Sequence, residues 1–222
     1  MESYLRNGEW MSLLGQLQVL INRSQDALYQ TSEMALHSKI SSLLLLAERI
    51  TDEASRCKKK AVEVQRQSNG KVSFAAVLSL EDPFFALEAD TESFYYFVVS
   101  ILDITAKIAA ILLDPTSVHL KDRTRLYFSN QRQWLVKHWT LDPDYSDYLD
   151  KHMMWTERLE TDRNSLAHEL AAFVNVDTTK VTIKLYSANV NRSNIIDEID
   201  THVKEVMTNM YDYLSLYAKH FA

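Results

Sequence analysis

Glycine and proline are scarce in this chain. Three of each in 222 residues leave few places for β-turns, so the backbone is expected to run in long helices joined by few loops. With glycines only at Gly8, Gly15 and Gly70, no phosphate-binding loop, dinucleotide-binding turn or glycine-flanked serine elbow can be written. The P-loop, kinase and α/β-hydrolase classes drop out. Cysteine is scarcer still: Cys57 stands alone, which excludes an intrachain disulfide, and Met1-Glu2-Ser3-Tyr4 lacks the basic and apolar regions of a secretory signal. A cytoplasmic location is the expectation. Uninterrupted apolar runs are also missing, because polar residues flank Leu43–Leu46 and Asp103 and Lys107 interrupt Phe94–Leu113; no membrane segment is expected.

What is present suffices for a real core. Hydrophobic residues make up 46% of the chain, and a chain of this length buries roughly 70% of its unfolded surface on folding. From Trp10 to Gln67, Leu13, Leu17, Leu20, Ile21 and Leu28, then Ile40, Leu44, Ala47, Ile50, Ala54, Cys57, Ala61 and Val64, recur at helical spacing. This predicts two long helices with a break around Gln30 to Ser38, where Thr31 and Ser32 offer capping side chains; a single bent helix is the alternative. Asn69-Gly70 ends this arm. A short extended piece is expected at Val72 to Leu78. Pro83 then opens an apolar helix through Phe94, Ile101 and Ile108 that stops at Pro115, and Thr116 to His138 reads as another. Pro143-Asp144 begins a helix whose stripe runs through Tyr145, Leu149, His152, Leu159, Leu166, Leu170 and Phe173. Alternation of Val181, Ile183 and Leu185 reads as a strand, with Ala172 to Val176 as its candidate partner. The last helix is expected to carry Ile196, Ile199, Val203, Val206, Met210, Leu214, Tyr217 and Phe221. The fold expected is an all-α, up-and-down helical bundle over residues 81–222, with a small β-hairpin or strand insert and a helical arm or hairpin over residues 1–80 packed on the bundle.

The most chemically pointed segment is Arg163-Asn164-Ser165-Leu166-Ala167-His168. A guanidinium grips a phosphate through two parallel charge-assisted hydrogen bonds, and an imidazole near its ordinary pKa moves protons at neutral pH. The spacing resembles the Arg, four to six residues, His motif of the HEPN superfamily, in which an Asn, Asp or His commonly follows the arginine and a small residue often precedes the histidine; Asn164 and Ala167 occupy those places. The acidic aromatic segment Glu88-Ala89-Asp90-Thr91-Glu92-Ser93-Phe94-Tyr95-Tyr96-Phe97 resembles the family's early core helix. The resemblance covers Pro83 to Ala222 and leaves out the first eighty residues.

What the resemblance implies is a bundle of four or five helices, a symmetric homodimer whose paired motifs line one cleft, and, in many members, metal-independent RNA cleavage in toxin or antiviral systems. A cognate antitoxin is then an expected partner, unidentified here. Other members do not cleave. Members silenced by adenylylation carry a tyrosine two residues after the histidine; Leu170 stands there, so that control is not expected. Arg163 and His168 would be the catalytic pair, with Asn164 orienting imidazole or phosphate.

On an uninterrupted helix Arg163 and His168 point about 140° apart with ~7.5 Å of rise between them. Either the helix breaks near Thr161-Asp162, or a second subunit completes the site. A seam containing Asn164, Ala167, His168 and Ala171 follows from the second reading. The competing reading makes Arg163 a structural cation paired with Glu92 or Asp103 in a non-catalytic RNA-binding, nucleotide-binding or protein-interaction module.

Other constellations are thinner. His168-Glu169 begins like a zinc-protease helix, but Ala172 replaces the second histidine. His37, His119, His138, His152, His202 and His220 show no ligand spacing, so neither metal nor cofactor is expected. The net charge of −6 argues against a general polyanion binder. It conceals basic runs at Arg56-Cys57-Lys58-Lys59-Lys60 and at Lys121, Arg123, Arg125, Arg132 and Lys137. Tyr127, Trp134 and Trp139 interleave with the second run as candidate stacking surfaces for RNA. A solvated helix face is the plain alternative for each.

Overall fold

The computed structural model describes residues 8–22, 27–67, 82–113, 128, 141–157, 159, 170–176, 181–187, 194–196 and 198–221. Helices dominate them: α1 (Gly8–Gln18), followed by a 3-10 turn (Val19–Asn22), α2 (Ala27–Gln67), α3 (Asp82–Leu113), α4 (Pro143–Lys151) and α5 (Ile199–Phe221). Three strands stand between α4 and α5: β1 (Leu170–Val176), β2 (Val181–Ser187) and β3 (Asn194–Ile196). They form one antiparallel sheet in the order β1-β2-β3. β1 and β2 are in register from Leu170↔Ser187 to Val176↔Val181, and an irregularity between Leu185 and Tyr186 shifts β2 against β3.

The expected break at Gln30–Ser38 is absent, since the 41-residue α2 runs through it. Nothing there stops a helix. The segment has neither glycine nor proline, and Ser32, Glu33, Leu36 and Ile40 continue one buried face. Hydroxyls elsewhere on α2 turn back on their own helix, Ser42 donating to the Ser38 carbonyl at 2.9 Å and Thr51 to the Ala47 carbonyl at 2.8 Å, which removes their competition with the helical ladder. The chain leaves the helical path earlier, through the 3-10 turn at Val19–Asn22.

A second expectation also fails. The helix opening at Pro143 does not reach Phe173. Asp142 caps its start, accepting from the Asp144 and Tyr145 amides at 3.0 and 3.4 Å with Pro143 in the first turn, and His152 ends it by donating its amide to the Tyr148 carbonyl at 2.9 Å. Helical residues resume at 154–157, but Leu170 and Phe173 belong to β1. Apolar residues two or three apart satisfy a helical stripe and a strand equally, so periodicity alone could not separate them. Ile196, expected in the last helix, is in β3 for the same reason.

The chain divides into two compact units, the first comprising Met1–Leu44, Tyr96–Glu160 and Asn209–Ala222, the second Leu45–Tyr95 and Thr161–Thr208. Each draws on both sides of residue 80. The first has a core of Trp10, Leu13 and Leu17 from α1, Leu36, Ile40 and Leu43 from α2, Val98, Ile101 and Ile108 from α3, and Tyr213, Leu214 and Tyr217 from α5. Its aromatic rings meet edge to face, Trp10 against Tyr211 at 5.3 Å and Phe128 against Tyr213 at 5.6 Å. In the second, Ala47, Ile50, Ala54, Cys57 and Ala61 of α2, Leu87 and Phe94 of α3, and Ile199, Val203 and Val206 of α5 are buried. Phe85–Leu113 is long and apolar enough to cross a bilayer by length and composition alone; more than half of its most apolar window is buried inside the protein, as in a core helix.

Two measurements probe this core. Leu36→Ala, at a position with no exposure, should cost ~2–5 kcal/mol in urea unfolding, and Met34→Ala, at 65% exposure, within ~0.5 kcal/mol. Equal effects would mean α2 has a different rotational phase. Glu33 supplies the second. Burial raises its carboxyl from 4.5 to about 7, so the folded state holds this proton more tightly than the unfolded chain does. That contribution is complete below pH 4.5 and is lost as pH rises to about 7. Wild type should therefore lose stability relative to Glu33→Gln across this window in denaturant titrations at stepped pH.

Candidate functional site

Arg163, Asn164 and His168, with Lys121, Arg123, Arg125 and Arg132, lie outside the described residues. β1 begins at Leu170, two residues beyond His168, and includes Ala171. The seam expected along Asn164, Ala167, His168 and Ala171 therefore loses its last member, since Ala171 is in a strand and the four cannot follow one helical face. The two carboxylates considered for Arg163 are both on α3. Glu92 is exposed and falls in the second unit, whereas Asp103 is half-buried in the first. The Asp103 carboxylate accepts a hydrogen bond from the Phe128 amide at 2.8 Å, so it anchors backbone.

The second unit, whose Thr161–Thr208 segment includes the motif positions, gathers a polar cluster at the start of α5. Glu198 directly precedes the helix and accepts the His202 amide at its carbonyl, 3.0 Å away, while Asp200 is in the first turn. Acidic groups suit this end, where unpaired amides carry partial positive charge. Lys58 of α2 reaches both side chains, its Nζ 2.6 Å from Glu198 Oε1 and 2.5 Å from Asp200 Oδ2. Burial disfavours the ammonium, but hydrogen bonds to Asp200 and Glu198 and their charges outweigh it, and the group titrates above its ordinary range.

A second link lies beside it. The buried Tyr95 hydroxyl of α3 is 2.5 Å from His202 Nε2, and the two rings stack at 5.8 Å. A phenol bonded to an imidazole can pass a proton in either direction, according to the tautomer. In the same unit Arg49 pairs with the buried Asp90 at 2.8 Å. Burial chiefly, and Glu53 next, push the Cys57 thiol up to about 12; it is a packed side chain rather than a nucleophile.

Sequence reasoning missed these partners. Lys58 stood in a basic run that reads equally well as a solvated face, and its carboxylates lie 140 and 142 residues away. Tyr95 and His202 are 107 residues apart. Neither separation leaves a local pattern. Among the described residues, no group of three or more His, Cys, Asp and Glu side chains is placed to hold a metal ion.

Removing Lys58 should leave two carboxylates facing each other at a helix start. Lys58→Ala is expected to destabilise by ~1–3 kcal/mol in urea unfolding, trimmed by the solvent that still reaches the amine, while Lys59→Ala next to it, exposed, stays within ~0.5 kcal/mol. Equal effects would make Lys58 part of an ordinary charged face. Comparison with protein-family models, with curated proteins and with solved structures finds no match.

Proposed function

We propose that this chain is a metal-independent endoribonuclease of the HEPN type, working as a cytoplasmic homodimer in a toxin or antiviral system. The observation that carries the reading is the Arg163-Asn164-x3-His168 spacing, which sets a phosphate-gripping cation and a proton carrier close together in the chain. The acidic aromatic start of α3 supports it as the second point of family resemblance.

In the proposed reaction a ribose 2′-hydroxyl attacks the adjacent phosphorus. One His168 takes the hydroxyl proton, and the His168 of a second copy protonates the departing 5′-oxygen. Arg163 stabilises the charge that gathers on the phosphoryl oxygens, and Asn164 orients imidazole or phosphate. The products are a 2′,3′-cyclic phosphate and a 5′-hydroxyl. Lys121, Arg123, Arg125 and Arg132 would track the RNA backbone. In this scheme a cognate antitoxin silences the enzyme by blocking the cleft.

The test is cleavage of total RNA in chelator. Arg163→Ala and His168→Ala should each lower the rate by roughly 10²- to 10⁴-fold with the helical circular dichroism unchanged. Arg163→Lys keeps the charge but loses the two-pronged grip and should remain slow. A His168→Ala rate within a few-fold of wild type removes His168 from the mechanism, and unfolding of Arg163→Lys makes the arginine structural. RNA binding without cleavage would instead assign the chain to the non-catalytic helical modules.

A further inference from the structure

The sheet carries an asymmetry between its two faces that the proposed reaction leaves unused. β1 and β2 pair in register from Leu170↔Ser187 to Val176↔Val181, and successive residues of a strand belong to opposite faces, so paired residues share one. One face takes Ala172, Val174 and Val176 of β1 with Val181, Ile183 and Leu185 of β2, all of them aliphatic. Only Ser187, at its end, is polar. The other face takes Phe173, Asn175, Thr182, Lys184 and Tyr186, and Asn194 of β3 joins it as the partner of Tyr186. Both aromatic residues of the three strands therefore fall on the polar face. An antiparallel sheet with this pattern packs its apolar face on a core and leaves the mixed one to water or to a ligand.

Register fixes the places of the mixed set. Lys184 is directly opposite Phe173, and Tyr186, opposite Ala171, is the diagonal neighbour of Phe173 at roughly 7–8 Å between Cα atoms. One cation is thus next to two aromatic positions. A single-stranded nucleic acid uses such a set: bases stack on rings whatever their identity, a cation meets the phosphate, and amides and hydroxyls bond to base edges or ribose. Charge agrees. Asp and Glu number 30 in the 222 residues, yet the three strands contain neither, and Lys184 is their one charged residue. In a chain of net charge −6, this stretch does not repel a polyanion. We propose that the face of Phe173, Lys184 and Tyr186 binds single-stranded RNA, two bases stacking on Phe173 and Tyr186 with Lys184 on the phosphate between them. The choice of RNA rests on the ribonuclease reading; β1 begins two residues after His168, in the compact unit that includes the motif positions. Unpaired RNA is selected because bases inside a duplex offer no free ring surface.

The experiment is fluorescence anisotropy of the full-length protein with a short labelled uridine-rich RNA, made uncleavable by 2′-O-methyl groups, in chelator. Phe173→Leu and Tyr186→Leu should each weaken binding roughly five- to hundredfold with the salt dependence unchanged, while Tyr186→Phe keeps it within about twofold. An RNA duplex of equal length should bind far more weakly. Lys184→Gln should weaken binding and lower the slope of log affinity against log salt by about 0.7, whereas Lys204→Gln, at an exposed lysine of the same unit, changes neither. RNA binding that none of the face substitutions alters overturns the proposal. So does the absence of RNA binding, the result expected of a face that serves a protein partner. If the leucine variants fail to fold, wild-type protein cross-linked to 4-thiouridine RNA decides: cross-links map to β1 and β2 if the proposal holds and elsewhere if it does not. Failure of the ribonuclease reading gives a different result, with natural RNA left uncut but binding still sensitive to these three positions.

Discussion

Unbroken backbone hydrogen bonding is the constraint on which the rest of this molecule depends. With so few residues that end a helix, α2 and α3 extend for 41 and 32 residues, far beyond the three or four turns usual in globular proteins. Such helices persist in water only when a face is buried. Each supplies one, and each apolar side chain fully removed from water contributes ~1.5–3 kcal/mol. Because α2, α3 and α5 all contribute residues to both compact units, neither unit can be cut from the sequence as one continuous segment.

Apolar stripes fix which face is inward but leave the axial position of a helix soft, and buried polar pairs supply what the stripes lack. In the first unit the hydroxyls of Thr105 and Tyr213 meet at 2.7 Å, and Tyr148 donates to the Asn209 carbonyl at 3.2 Å. In the second, Tyr95 with His202 and Lys58 with Glu198 and Asp200 do the same for the start of α5. A slip by one residue would strand both members of such a pair in a medium where an unmet hydrogen bond costs more than a met one contributes. The aromatic contacts add to this. Tyr145 stacks on His220 at 5.1 Å and meets Phe221 edge-on at 5.7 Å, so the last turn of α5 is held by rings as well as by its stripe.

How much of this could be read from the residues depended on whether the signal was local. The helix between Pro83 and Pro115 is announced by its breakers and its strong apolar period, and α3 fills it. Asp142-Pro143 marks the start of α4 because a capping side chain and a fixed φ act within three residues. The break in the first long helical stretch was misplaced because Thr31 and Ser32 can cap a helix but need not, and no breaker forced them to. Leu170, Phe173 and Ile196 were given to helices because short apolar spacings fit either period. At the candidate site the limit is different: Arg163, Asn164 and His168 announce chemistry by residue type, whereas Lys58, Tyr95 and His202 announce nothing until the chain has folded.

Cys57 carries a consequence of its own. As the only thiol in the chain, fully buried on α2 and pushed up to about 12, it is protected twice over, by lack of access and by lack of thiolate. Alkylating reagents can reach it only during excursions in which this part of α2 separates from its packing. The natural protein therefore contains a single-site clock for the opening of its second unit, readable by mass without introducing a label, and the frequency of those excursions is a property its backbone reports unaided.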